Sequence, residues 1–190
     1  MFTIIHSSQF KTLPWKNGKG ETIELAINDN ANLDNFTWRI SMASVVEDGQ
    51  FSDFSGYMRN LVLIEGQGLN LQHDHNAIDK LNNLLDLATF DGGCSTVGNL
   101  HDGGIIDFNI ITAKDKYQTN VSTYLQPTTL EIKLTTLCFI YSLSGDTTFS
   151  IDSNPLNKIL PQGHLLKVSQ QASRLTITGE QLIVVELSAV

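Results

Sequence analysis

The sequence predicts an all-β fold, a sandwich or barrel of antiparallel strands. Three observations carry that prediction: the apolar stretches are short, many alternate with polar residues, and Gly, Asn, Asp and Ser separate them at fairly even spacing. In chain order the strands are expected at Phe2–His6, Glu21–Ile27, Thr37–Val46, Arg59–Ile64, Leu69–Gln72 and Ile105–Ala113. They continue at Asn120–Leu125, Leu130–Leu134, Cys138–Leu143, Thr147–Ile151, Leu165–Val168, Arg174–Thr178 and Leu182–Leu187. Only Leu81–Leu87 shows helical spacing, and it is shorter than an ordinary globular helix.

A faint internal repeat suggests two hairpin-built halves. Leu61-Val-Leu-Ile-Glu-Gly66 leading into Leu69-Asn-Leu71 resembles Phe139-Ile-Tyr-Ser-Leu-Ser-Gly145 leading into Thr147–Ile151. Each half closes on a strongly apolar strand, Ile105–Ile111 and Leu182–Leu187. The halves meet near Asp115–Thr119, which gives a single unit of a first lobe, 1–115, and a smaller second lobe, 116–190.

Composition narrows the function. A chain of 190 residues buries roughly 70 % of its unfolded surface, enough for a sizeable core. The formal net charge of −8 and the lack of any basic run argue against a nucleic-acid or anionic-membrane partner. The first residues, Met1-Phe-Thr-Ile-Ile-His, lack the basic then apolar order of a secretory signal, and the apolar run Leu137–Tyr141 is too short for a membrane span. Cys94 and Cys138 lie far apart and fit no zinc or redox motif, so they read as reduced thiols of a cytoplasmic protein.

Strand parity sorts the polar residues onto faces. Thr22 and Glu24 alternate with Ile23 and Leu25; Arg39, Ser41 and Ala43 alternate with Trp38, Ile40 and Met42; Asp107 and Asn109 alternate with Ile106, Phe108 and Ile110. Arg59 shares its face with Leu61 and Leu63 and is therefore expected to point inward. Two readings stand for the polar faces. They are the solvated outside of a sandwich, or a lumen where Glu24, Arg39, Arg59, Asp107 and Asn109 converge. The small neighbours Ser41 and Ala43 leave room for a ligand, and a partly unpaired Arg offers a planar fork for a carboxylate.

The segment Phe51-Ser52-Asp-Phe54-Ser-Gly56-Tyr-Met-Arg59 up to Gly66 has the spacing of the first metal motif of cupin barrels, His-x-His-x4-Glu-x6-Gly. Anchored on Gly66, Arg59 stands where the carboxylate ligand would be, and Ser52 and Phe54 stand where the histidines would be. A cation in that place points to an anion site and to no metal or other cofactor. Elsewhere, His73-Asp-His75 puts two imidazoles on one strand face, but at a polar hairpin end that reads first as an exposed turn. His101 and His164 read as surface residues beside Gly turns, and no nucleophile motif stands out. In Pro14-Trp15-Lys-Asn17-Gly18-x-Gly20, the glycines make a tight turn and lack the rest of a dinucleotide motif. Trp15 is suited to closing a pocket.

Four blocks in order, Pro14-Trp15-Lys-Asn17-Gly18-x-Gly20-x-Thr22-x-Glu24-Leu25, Trp38-Arg39-x-Ser41-x-Ala43, Gly49-x-Phe51-Ser52-x-Phe54-x-Gly56-x-x-Arg59 and Asp107-Phe108-Asn109, resemble the HutD/Ves family over nearly the whole chain. The resemblance implies a cupin-like (RmlC-like) double β-barrel or sandwich in a bicupin arrangement. It also implies an association with histidine utilisation or stress responses in bacteria, without an assigned enzymatic activity. The signature residues it carries over are Trp15, Asn17, Thr22, Glu24, Arg39, Ser41, Ser52, Phe54, Arg59, Asp107 and Asn109. Ile23 departs from the histidine-utilisation branch, where Arg or another polar residue is usual.

The expectation is a metal-free protein binding a small carboxylate metabolite, with a homodimer left open. Arg59 and Arg39 would supply the cations; Asn17, Ser52 and Asn109 would orient the ligand. Trp15 and Phe54 would form the apolar wall, and Glu24 and Asp107 would hold the arginines. The alternatives are a metal-independent isomerase or hydrolase with Glu24 or Asp107 as base, and a protein-interaction module.

Overall fold

The computed structural model describes residues 1–15, 20–74, 77–134, 137–152, 157–169 and 174–190. Apart from one turn of 3-10 helix at Ser7–Gln9, the regular structure among these residues is all strand. The strands are β1 (Phe2–Ile5), β2 (Lys11–Pro14), β3 (Gly20–Ile27), β4 (Trp38–Val45), β5 (Gly49–Gln50), β6 (Tyr57–Glu65), β7 (Leu69–His73), β8 (Ala77–Leu81) and β9 (Leu87–Asp91). They continue as β10 (Thr96–Leu100), β11 (Ile105–Ala113), β12 (Tyr117–Tyr124), β13 (Thr128–Lys133), β14 (Leu137–Ile151), β15 (Lys158–Leu160), β16 (Leu165–Ser169) and β17 (Arg174–Ala189). No helix among the described residues is long and apolar enough to cross a membrane.

Every strand expected from the sequence overlaps an observed one. The additional strands β2, β5, β8, β9, β10 and β15 are short and mix polar with apolar residues, so cross-strand pairing and not composition identifies them. Two pairs of expected strands fuse. β14 runs for 15 residues through a register shift between Ser144 and Thr148, and β17 runs for 16. The helical spacing at Leu81–Leu87 produces no helix. There the Asp86 carboxylate accepts the backbone N–H groups of Asn82 and Asn83 at 2.8 and 2.9 Å, closing a turn between β8 and β9.

The chain divides into two compact units. One comprises Met1–Gln9 and Tyr117–Val190: β1 pairs with β16, which brings the first nine residues to the C-terminal half. Its seven-stranded sheet runs β1-β16-β14-β17-β12, with β13 on β17 and β15 on β14. The long strands β14 and β17 carry it around a core that includes Ile140, Phe149, Leu166, Leu175 and Leu182.

The other unit, Phe10–Lys116, holds a six-stranded sheet, β2-β3-β4-β11-β6-β9, and a four-stranded sheet, β5-β10-β7-β8. Leu61, Leu63, Ala88 and Phe90 of the first pack with Leu69, Leu71 and Leu81 of the second, so the two sheets face each other across one core. The sheets are open: among the described residues no pairing joins the two edges of either. The sandwich form of the expectation therefore holds, and the closed barrel does not. The lumen is the space between faced sheets.

Gly66 makes the tight turn after β6 at φ 104°, and a Cβ there would lie 2.7 Å from both the Gly104 carbonyl oxygen and Ile105. Gly66→Ala adds backbone strain to a backbone clash. It is expected to lower stability by about 2–3 kcal/mol, read as a lower urea midpoint at unchanged m-value.

A buried arginine and carboxylate between the sheets

Pairing in the six-stranded sheet brings the polar positions of four strands onto one face. Glu24 lies opposite Ser41, Ser41 opposite Asn109, and Asn109 opposite Leu61. One step along, Thr22, Ala43, Asp107 and Leu63 form a row. Two residues the other way, Arg39, Ile111, Arg59 and Phe90 form another. Leu61, Leu63 and Phe90 of this face enter the inter-sheet core, so the face points at the second sheet. Its polar members are buried: Glu24 is 8 % exposed, Arg39 6 %, Arg59 4 % and Asp107 0 %. Burial excludes the reading of these residues as a solvated outer face.

The charges pair in two ways. Arg39 Nε donates to Glu24 Oε2 at 2.9 Å, and both side chains are shielded. Arg59 makes no direct ion pair among the described residues. Its Nη2 donates to Asn109 Oδ1 at 2.8 Å, and Asn109 Nδ2 in turn donates to Asp107 Oδ1. Its Nη1 reaches the Ser52 carbonyl only weakly, at 3.4 Å. Arg59 Nε and Asp107 Oδ2 are buried and unpartnered among the described residues. Orphaned buried polar atoms are rare because each carries an uncompensated desolvation cost.

Aromatic rings replace water around the guanidinium. Arg59 Cζ lies 5.2 Å from the Phe51 ring centre, 5.4 Å from Phe54 and 5.3 Å from Phe90, within cation–π range. The β5–β6 loop delivers two of these rings. Asp53 Oδ1 accepts from the Ser55 backbone and hydroxyl at 2.8 Å each, and Phe54 N donates to the Gly92 carbonyl at 2.8 Å. Gly98 makes room for Phe51, whose ring would lie 2.6 Å from a Cβ there.

Burial sets the electrostatics. It pushes the Asp107 carboxyl up to about 7, against the downward pull of Arg59, Asn109 and the Ala43 backbone. It brings Arg59 down to about 10, with the Asp107 charge opposing. The folded state thus holds a proton on Asp107 that the unfolded chain has released, so this group's contribution to stability falls as pH rises from about 4 to about 7.

The other expected residues fall around this centre or outside it. Trp15 Nε1 donates to Thr22 Oγ1 at 2.8 Å, and the half-buried indole packs on the inter-sheet core, so Thr22 positions Trp15. Ser41 is buried between Glu24 and Asn109. Ser52 is exposed, and its backbone carbonyl, not its hydroxyl, meets Arg59. Asn17 lies outside the described residues, as does His75.

His73 corrects the exposed-turn reading. It is 7 % exposed on β7, with Nδ1 at 2.9 Å from Thr96 Oγ1 and Nε2 at 3.1 Å from Asp79 Oδ2. Its ring lies on Phe90 at 4.5 Å. The sequence reading missed Phe90 and Thr96 because β9 and β10 were not recognisable as strands. The cross-strand register alone places Phe90 beside Arg59.

The HutD family model matches residues 7–185. A Pseudomonas putida protein described as an uncharacterized 21.2 kDa protein in the hutC 3′ region is 34 % identical over 118 residues, 62 % of each chain. Protein Ves of Escherichia fergusonii is 36 % identical over 99 residues, 52 % of this chain and 51 % of that one. The chain thus spans about half to three-fifths of the curated relatives it matches. Among solved structures, HutD from Pseudomonas fluorescens SBW25 (formate condition) superposes with TM-score 0.86 and 25 % identity over 100 % of both chains. YhhW from Escherichia coli superposes with TM-score 0.67 at 9 % identity over 100 % of this chain and 99 % of that one, a likeness of fold alone.

Proposed function

The chain belongs to the HutD family, and on that premise we propose that it binds a small carboxylate metabolite at Arg59 in an accessory or regulatory role in histidine utilisation. One observation carries the reading: among the described residues, a guanidinium 4 % exposed keeps its Nε without a partner while three phenyl rings hold it in place. Rings over the cation leave its N–H edge available, and a carboxylate is the group that fits such an edge. Asn109, bonded to the guanidinium, would orient the ligand, and Phe54 would line it. The names of the relatives, one from a hutC region and one solved as HutD, support the histidine-utilisation context.

A thermal-shift titration tests it, with histidine, urocanate, formylglutamate, formate and simple dicarboxylates. At about a hundred times its dissociation constant a true ligand adds ~2.7 kcal/mol, a shift of several degrees. Saturation by one of these acids is the expected result. A flat response to all of them would remove the carboxylate reading.

The Asp107 carboxyl, pushed up to about 7, favours a second reading, a metal-independent isomerase or hydrolase with Asp107 as general base. NMR of a saturating ligand incubated with the protein separates the two. Chemical conversion would establish the enzyme, and an unchanged ligand spectrum the binding protein.

A further inference from the structure

Charge on the buried face does not balance for a bare anion, once Arg59 is read as a carboxylate site as above. Glu24 and Arg39 compensate each other through their 2.9 Å contact. Among the described residues of this face, one cation, Arg59, and one carboxyl, Asp107, then remain, joined through the Asn109 amide. Among the described residues each keeps one buried unpartnered atom, a donor at Arg59 Nε and an acceptor at Asp107 Oδ2. A ligand carboxylate accepting from Arg59 would set two negative groups against a single guanidinium in a desolvated space. Carboxylates so placed do not both stay ionised; one takes a proton. Among the described residues of the facing sheet, His73 is engaged by Asp79 and Thr96.

Asp107 has the free position for that proton. Its Oδ1 accepts from Asn109, so Oδ1 must keep its lone pairs, whereas Oδ2 has no partner among the described residues. Protonated on Oδ2, Asp107 turns from a repelling charge into a donor toward the ligand's second oxygen. We propose that the buried face around Arg59 and Asp107 binds a small carboxylate together with one proton, which moves from solvent onto Asp107 Oδ2 as the carboxylate settles on Arg59. The balance is one anion and one proton entering, with no net change in the charge of the site. The raised Asp107 carboxyl, about 7 in the free protein, makes that uptake available near neutral pH. Below about 7 the proton is already in place and affinity is flat. Above it, affinity falls by up to tenfold per pH unit.

Isothermal titration of the whole chain with sodium formate and sodium acetate, in phosphate and in Tris at pH 8, tests the proposal. The expected result is a binding enthalpy that differs between the buffers by the ionisation heat of about one proton per anion. Affinity should also weaken from pH 7 to pH 8.5. Asp107→Asn, which keeps the shape and supplies a permanent donor, should bind with no buffer dependence and a flat pH profile. The wild-type comparison stands even if that variant folds poorly. Equal enthalpies in both buffers with pH-independent affinity would overturn proton coupling while leaving the Arg59 carboxylate site intact. No binding of either anion at any pH would overturn both.

Discussion

Arg59→Ala is expected to abolish ligand-dependent stabilisation by any carboxylate and to destabilise the protein at the same time. The two effects have different origins and can be measured separately. Ligand response is lost because the guanidinium that would hold the carboxylate is gone. Stability is lost because Asn109 Oδ1 loses its donor, Phe51, Phe54 and Phe90 lose the group they enclose, and Asp107 loses its compensating charge. Breaking a buried charged network costs on the order of 3–5 kcal/mol. The lower end is expected, because Asp107 is already raised to about 7 and neutralises by taking a proton. Removing Arg59 takes away a pull that lowers the Asp107 carboxyl, so its value rises further. At pH 5.5 the carboxyl is protonated with or without Arg59; at pH 8 the wild type has released that proton and the variant has not fully done so. Urea unfolding at the two pH values should therefore show a larger deficit at pH 8. Arg59→Lys keeps a charge and loses the planar fork, and should bind the same acids more weakly. A variant without Arg59 that still shows the full ligand shift would move the binding site elsewhere.

The second large effect concerns Glu24 and Arg39. Glu24→Leu leaves a guanidinium 6 % exposed without its carboxylate, and Arg39→Met leaves a carboxylate 8 % exposed without its guanidinium. Each single change is expected to cost about 3–5 kcal/mol. The double variant should cost much less than the sum, and less than either single change, since apolar side chains of similar size fill the space without desolvated charge. Additive losses in a double-mutant cycle would show that the two groups do not act as a pair. The contrast with Arg59 is instructive. Arg39 holds its carboxylate in direct contact, while Arg59 meets its own only through Asn109, and among the described residues it is Arg59 that retains an unpartnered buried N–H.

Much of this arrangement was legible in the chain. Alternation placed Arg39 and Ser41 on the face opposite Trp38 and Ile40, and Asp107 and Asn109 opposite Phe108 and Ile110, as observed. The inward direction of Arg59 followed from its parity with Leu61 and Leu63. His73 was misread because Asp74 and Asn76 beside it look like a turn, whereas its own place is fixed by Thr96 across the ladder and by Asp79. The strands β8, β9 and β10 escaped notice because polar and apolar residues of low contrast form them, and only their partners make them regular.

The amino-acid sequence alone established the all-β class and the assignment of polar residues to faces. These are local properties: side chains alternate along a strand whatever its neighbours are. The tertiary structure decided that the polar face is buried, that Glu24 pairs with Arg39 and not with Arg59, that Phe90 completes the ring of aromatics, and that the sheets stay open. Burial and pairing depend on which strands lie side by side and in what register. That is set by contacts between residues as far apart as Arg59 and Asn109, which no local pattern encodes.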